Sequence, residues 1–242
     1  MLRSIFDRVR FILWTTHLRL ALRKQGARLV VDAPSGARLT RFPTLKVARR
    51  GDGDATFQLR VGRNVRLEDD ICLRIDAGGT NVLEIEDNTL IQSGARLWLF
   101  AGRLRLGRNT ILRDGVTLKT SGDLDIGEYV RINSHTVIHC HELIEVADRV
   151  GIADHGLLVD SDHPHDGTDT WFMSKTAVPA PIHVGRNTMI AAGCVITRGV
   201  HLAPNSLVAA GAVVRAGEYP AGWIIGGVPA KPLRALGEAN QS

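Results

Sequence analysis

An aliphatic residue recurs every six positions through most of this chain, and few folds can use that period. The segment Val61-Gly62-Arg63-Asn64-Val65-Arg66-Leu67 has relatives that begin at Ile85, Leu106, Ile126, Val146, Val184 and Leu202. Each opens with an aliphatic residue, usually follows it with a small one, and repeats the aliphatic six residues later. Extended by further steps of six, with the phase reset at each early start, the pattern takes in twenty-one positions between 61 and 214. All of them are Ile, Leu or Val. From Val184 through Ile190, Ile196, Leu202 and Val208 to Val214 it runs without a reset. Such a period is neither that of a helix nor the alternation of a simple strand. It suits short strands joined by tight turns, each strand stacking one aliphatic side chain on its counterpart in the next coil. Asn in those turns tolerates left-handed backbone, and Gly does so more freely. Each buried aliphatic contributes roughly 1.5–3 kcal/mol, so a solenoid core can form without large rings. The composition agrees, with 44% hydrophobic residues but only 5% aromatic.

Charge is distributed unevenly behind a formal net value of +5. Residues 1–50 carry twelve Lys/Arg against Asp7 and Asp32, while the remainder carries eighteen against twenty-three acidic residues. A uniformly basic nucleic-acid binder is therefore disfavoured. Cys72, Cys140 and Cys194 are odd in number, widely spaced and outside any CxxC, which fits a reducing compartment better than a disulfide scaffold. No apolar run reaches the length of a membrane span. Arg3, Arg8, Arg10 and Arg19 interrupt any signal-peptide core. A cytoplasmic protein is expected.

Over about residues 61–231 the repeats resemble the left-handed parallel β-helix of the hexapeptide-repeat acyltransferases. Members of that family make three strands, about eighteen residues, per coil. The spacings between repeat starts here are 24, 21, 20, 20, 38 and 18. The last coils are clean, earlier ones carry small insertions, and one ejects a loop at 159–181. The expected fold is all-β: a left-handed β-helix over 61–220, preceded by a basic amphipathic helix at 1–25 and an irregular or strand cap at 26–60. A coenzyme-A-side tail follows at 221–242. The left-handed crossover would be an exception to the usual right-handed rule.

A long loop in an economical solenoid is usually functional or disordered. This one holds two His, four acidic residues and two aromatics, Trp171 and Phe172. In the sugar O-acetyltransferases of the family, a His followed by Pro sits where the chain leaves the coil. His163-Pro164 matches that motif. The resemblance implies that His163 is the general base, removing a proton from an acceptor hydroxyl as it attacks the acetyl-CoA thioester, a role that suits imidazole. The family also places an Asn thirty residues earlier, near the oxyanion or acceptor, and Asn133 holds that position. His165 is the rival base, because a D-H-x-H run occurs in related polysaccharide acetyltransferases. Asp160, Asp162 and Asp166 are candidates to orient the imidazole.

His135, His139, His141 and His155 invite a metal reading, since a hexapeptide fold with three zinc-binding His would resemble the γ-type carbonic anhydrases. Those need an HxxxxH pair, and the chain has none. Adjacent strand residues also point to opposite faces. Turn or cleft-lining histidines are the favoured reading, with no metal.

The last coils read Ile190-Ala191-Ala192-Gly193 and Val208-Ala209-Ala210-Gly211. In the family such small residues let the pantetheine arm of coenzyme A lie against backbone, although small residues also fit solenoid corners unaided. Gly226-Gly227-Val228-Pro229-Ala230-Lys231 resembles the family's G-x-P-A-K/R ending, which implies that Lys231 and Arg234 meet nucleotide phosphates. Relatives often have Thr-Lys after the second small ridge, where this chain has Arg215-Ala216. Arg215 is the candidate substitute for that charge.

In the N-terminal segment, Leu2, Ile5, Val9, Ile12, Leu13 and Leu20 fall on one helical face, and Phe11, Trp14, Leu18 and Leu22 form a second stripe. Such a helix either caps the open solenoid or lies on an anionic membrane. Taken together, the expectation is a homotrimeric, acetyl-CoA-dependent O-acyltransferase acting on a sugar or cell-surface glycan precursor. A metal-dependent hydratase and a non-catalytic hexapeptide scaffold are the alternatives.

Overall fold

The computed structural model describes residues 2–50 and 55–237, with side chains from Phe6 onward in the first helix. The expectations for Leu2, Ile5 and tail residues 238–242 therefore lie outside the described side chains. The chain winds through three sheets of nine, ten and eight strands, parallel except for the closing hairpin of the ten-stranded one, visiting each in turn and forming a parallel β-helix.

The six-residue step is the register of these sheets. In the nine-stranded sheet Val61 pairs with Ile85, and the column continues through Leu106, Ile126, Val146, Val184 and Leu202. The ten-stranded sheet stacks Leu67, Ile91, Leu112, Ile132, Ile152, Ile190 and Val208 in the same way. The eight-stranded sheet stacks Leu73, Leu97, Leu118, Ile138, Leu158, Ile196 and Val214. All twenty-one side chains are buried, so the periodic residues are the core.

The turns explain the residues between them. Asn64, Asn88, Asn109, Asn187 and Asn205 all have φ between 57° and 62°. Their side-chain amides form ladders, Asn64 Nδ2 donating to Asn88 Oδ1 at 3.1 Å and Asn88 Nδ2 to Asn109 Oδ1 at 3.2 Å. Asn thus serves twice, relieving left-handed strain and satisfying its neighbour.

The solenoid begins before the visible repeat does. Segment 26–60, expected as an irregular or strand cap, contributes strands Ala27–Asp32, Arg38–Leu39 and Thr44–Ala48, one to each sheet. Leu39 pairs with Leu67 and Leu45 with Leu73, in phase with the later coils. One residue beyond the last printed pair of the first strand, Ala33 takes the place that Val61 holds a coil later. A methyl group there still packs on the core, but it hides the repeat from an aliphatic count.

Helix Leu2–Lys24 closes the open end. Phe11, Trp14, Leu18 and Leu22 are buried in the solenoid mouth, where Phe11 and Trp14 face Leu59, Leu67 and Leu73 across a small apolar gap. Of the other stripe, Val9, Ile12, Leu13 and Leu20 stay exposed.

Candidate functional site

The loop leaves the solenoid after strand Leu157–Val159 and returns at Ile182–Val184. Asp160 is the hinge post, fully buried at 0% exposure. Its carboxylate accepts the backbone N–H groups of His141 at 2.6 Å, Glu142 at 2.8 Å and Leu143 at 3.0 Å. Its backbone carbonyl accepts Ala180 N–H at 2.8 Å, which ties the returning arm to the leaving one. A two-residue antiparallel pairing, Ser161–Asp162 with Val178–Pro179, continues that closure. Asp160 is thereby spent on backbone and does not touch an imidazole.

Above this base lies His163, half-buried, with Nδ1 3.2 Å from the Lys175 carbonyl oxygen. A carbonyl only accepts, so Nδ1 carries the proton and the lone pair sits on Nε2. The ring also stands edge-on to Phe172, with centroids 6.1 Å apart. His165 has the opposite arrangement, because its Nδ1 accepts the Gly167 N–H at 3.3 Å. The proton of neutral His165 then belongs on Nε2, and the ring is exposed. These tautomers are assigned from the hydrogen-bond network. Asp166 does not orient either imidazole. It binds Lys175 Nζ at 2.6 Å and Thr168, and those bonds, Lys175 first, hold its carboxyl down at about 2. Lys175 therefore ties the returning arm of the loop to the leaving one twice, through its carbonyl to His163 and its ammonium to Asp166. Beyond them Trp171, Phe172 and Met173 form an exposed apolar tip.

All the donor-side candidates but Arg215 lie along or beside one corner. Ala153, Ala191 and Ala209 each follow a strand of the ten-stranded sheet and hydrogen-bond one coil on, Ala209 N–H donating to Ile225 O at 2.8 Å. Asn133 heads the same column, its N–H donating to Ile152 O at 2.8 Å. Gly226 ends it: a Cβ built there would stand 3.2 Å from the Ala209 methyl. Gly226 pairs with Lys231 across the hairpin of strands Trp223–Gly227 and Ala230–Ala235, and Ile224 pairs with Arg234. Cross-strand partners share a face, as do Ile224 and Gly226, so the bulge between these pairs puts Lys231 and Arg234 on one side. Ala192, Gly193, Ala210 and Gly211 stand exposed on the adjacent turns. Gly193 and Gly211 have φ of 67° and 71°, so left-handed backbone, and not crowding, calls for glycine there. Arg215 lies at a different corner, after strand Val213–Val214, where its carbonyl accepts the Tyr219 hydroxyl at 2.9 Å.

Asn133 and His163 are not brought together within one chain. Asn133 sits where the ten-stranded sheet turns into the eight-stranded one, and the loop leaves from the far edge of the latter.

The histidines considered for metal are also separated. His135 and His155 occupy successive turns with φ of 58° each, their rings stacked 5.4 Å apart. His139 lies on strand Val137–Cys140, and His141 Nδ1 is 3.4 Å from Ser121 Oγ. Among the described residues, no group of three or more potential metal ligands gathers. Burial pushes the Cys140 thiol up to about 12 and also raises Cys194, which makes both core residues and poor nucleophiles.

No protein-family model matches the chain, and no curated protein is detectably similar in sequence. Solved structures do match. One variant of AntD, an N-acyltransferase from Bacillus cereus crystallised with dTDP and coenzyme A, aligns at 22% identity and TM-score 0.55. That alignment covers 63% of this chain and 84% of AntD. The chain has the fold of the hexapeptide-repeat acyltransferases. A second AntD variant aligns at 21% identity and TM-score 0.53, over 64% of this chain and 84% of that one. A hexapeptide-repeat acetyltransferase from Vibrio cholerae, complexed with acetyl-CoA, aligns at 24% identity and TM-score 0.45 over 55% and 71% of the two chains.

Within this fold, one further row of side chains has no counterpart among the motifs of the sequence. Glu145, His183, His201 and Glu218 occupy the same register position in four successive strands of the nine-stranded sheet. His183 binds Glu145 at 3.1 Å and His201 binds Glu218 at 2.6 Å. Aligning the coils by their aliphatic step would have revealed this row, since its members stand one residue before Val146, Val184, Leu202 and Tyr219.

Proposed function

We propose that this chain transfers an acyl group, most simply acetyl, from acyl-CoA to a hydroxyl of a sugar or glycan precursor. One observation carries the reading: a column of small residues along one corner ends at two cations, Lys231 and Arg234, on a single face. A narrow pantetheine arm fits against Ala153, Ala191 and Ala209, up to Gly226 where the Leu233 side chain closes the column, and its phosphates meet the two cations. AntD, a fold neighbour crystallised with coenzyme A and dTDP, supports an acyl-CoA donor.

His163 supplies the chemistry. With Nδ1–H held by the Lys175 carbonyl, Nε2 takes the proton from the attacking hydroxyl as its oxygen bonds to the thioester carbon. The tetrahedral oxyanion then collapses, the C–S bond breaks, and coenzyme A leaves with a proton returned from His163. His165, with Nδ1 already accepting, is the weaker base. Because AntD is an N-acyltransferase, an amino-sugar acceptor is the second reading, and the same base serves it.

The separation of Asn133 from His163, together with the exposed tip of Trp171, Phe172 and Met173, supports a homotrimer with each site shared between copies. The exposed apolar stripe of the first helix, flanked by Arg8, Arg19 and Arg23, supports peripheral contact with an anionic membrane from the cytoplasmic side.

Free-thiol release from acetyl-CoA, with neutral sugar and amino-sugar acceptors compared, tests the assignment. His163→Ala is expected to lose about 10²–10⁴-fold in kcat, and His165→Ala to retain most activity. Full turnover in His163→Ala with loss in His165→Ala would overturn the base. Absence of coenzyme A binding by calorimetry would overturn the class.

A further inference from the structure

The outer faces of two sheets treat charge in opposite ways. On the nine-stranded sheet arginines are neutralised: Arg103 binds Glu84 at 2.7 Å and Asp123 at 3.0 Å, and Arg105 binds Asp125 at 2.7 Å and Glu86 at 2.9 Å. On the eight-stranded sheet they are not. There Arg74 pairs in register with Trp98, Trp98 with Lys119, and Lys119 with His139, so all four side chains form one outward row. Arg74 lies 5.5 Å from the Trp98 ring and 5.3 Å from the Phe100 ring. Arg50 and Lys119 each lie 5.7 Å from Phe100. Three cations thus share one aromatic ring.

Among the described residues none of the three forms an ion pair with a carboxylate, and Asp76 spends Oδ1 on the backbone N–H groups of Arg50 and Gly78. Cation–π attraction offsets part of their mutual repulsion but does not cancel it. Burial first, then Arg74 and Arg50, holds the Lys119 ammonium below its usual range. Beneath them the Trp98 indole N–H is closed off from solvent and has no acceptor. Among the described residues these three cations have no carboxylate partner, and such a cluster is suited to receive an anion. At its upper end the His139 carbonyl faces the Asp160 N–H at 3.4 Å, so the row runs to the foot of the loop that carries His163.

We propose that this aromatic–cationic face binds the acceptor, and that the acceptor is acidic, a glycan bearing carboxylates or phosphate. The aromatic rings hold Arg50, Arg74 and Lys119 in place, and these three cations receive the anionic groups. The proposal relies on the acyltransferase reading only in calling the ligand an acceptor; anion binding at this face is measured independently of catalysis.

Calorimetry with three probes tests it: an oligogalacturonate for carboxylates, inorganic pyrophosphate for phosphates, and maltotetraose as a neutral control. Saturating coenzyme A keeps Lys231 and Arg234 occupied; if coenzyme A does not bind, the titrations run on a Lys231→Gln/Arg234→Gln background. At least one acidic probe is expected to bind and the neutral one not, with affinity falling as salt rises. Arg74→Gln/Lys119→Gln is expected to weaken that binding about tenfold or more while leaving coenzyme A affinity unchanged. The charge-conserving Arg74→Lys, with an unchanged melting temperature, separates loss of charge from loss of fold and is expected to retain part of the binding. Failure of both acidic probes to bind, or equal binding by the double variant, overturns the proposal. A changed oligomeric state of the double variant by light scattering also overturns it, since the face would then be a contact between copies. Acidic-probe binding without any coenzyme A binding would sink the acyltransferase reading and leave this one standing.

Discussion

Asp160 shows how a single buried charge can carry a loop of about twenty residues. Its two oxygens receive three backbone N–H groups where the preceding strand ends. Each orphaned buried donor costs about 1–3 kcal/mol, so Asp160→Ala is expected to lose several kcal/mol, read as a fall in melting temperature. Asp160→Asn keeps one accepting oxygen and should fall less. A melting temperature unmoved by Asp160→Ala would mean the loop is held from elsewhere. The sequence presents this residue as one of three acids near His163, all equally eligible to orient the ring. What separates them is burial and direction. Asp160 turns inward to the backbone and Asp166 turns to Lys175, while the carbonyl of Lys175, invisible to any motif, sets the proton on His163. The stacked His135 and His155 are a similar case. Their spacing of twenty residues is one local coil, and each fills a left-handed turn that neighbouring coils give to Gly94, Gly115 or Gly193.

At the scale of elements, the coil was legible wherever its aliphatics were intact. A six-residue step survives insertions at the corners because each sheet keeps its own column, so the early spacings of 24, 21 and 20 cost nothing in register. The first coil was illegible for a specific reason: Ala33 replaces the first aliphatic, leaving only Leu39 and Leu45 in step. The N-terminal helix gave two stripes without saying which is inward. The solenoid mouth chooses the one with rings, because Phe11 and Trp14 fill a wide apolar opening that aliphatics would leave loose. Leu18, wholly buried on that stripe, makes the cap testable. Leu18→Ala is expected to cost about 2–5 kcal/mol in chemical denaturation, whereas Leu13→Ser, on the exposed stripe, should stay within about 0.5 kcal/mol. Equal effects of the two would remove the helix from the fold's stability.

For the whole molecule, the placement of Asn133 and His163 is the fact that a proposed mechanism has to accommodate. They lie at opposite edges of the eight-stranded sheet, Asn133 at the head of the small-residue column and His163 on the ejected loop. A site that uses both therefore takes them from two copies, and a cyclic trimer lets every copy give one residue to each neighbour. That geometry can be read by complementation. Asn133→Ala and His163→Ala are each expected to be strongly impaired alone. When the two are unfolded, mixed in equal amounts and refolded together, each site draws its Asn and its His from different chains. Random assembly then restores about one quarter of the sites to full composition. Activity rising towards that fraction, above the sum of the two separate variants, supports a shared site. If the refolded mixture stays at that sum while refolded wild type recovers, Asn133 and His163 do not meet across copies. The donor column and the base would then have to work within one chain, across the width of a sheet.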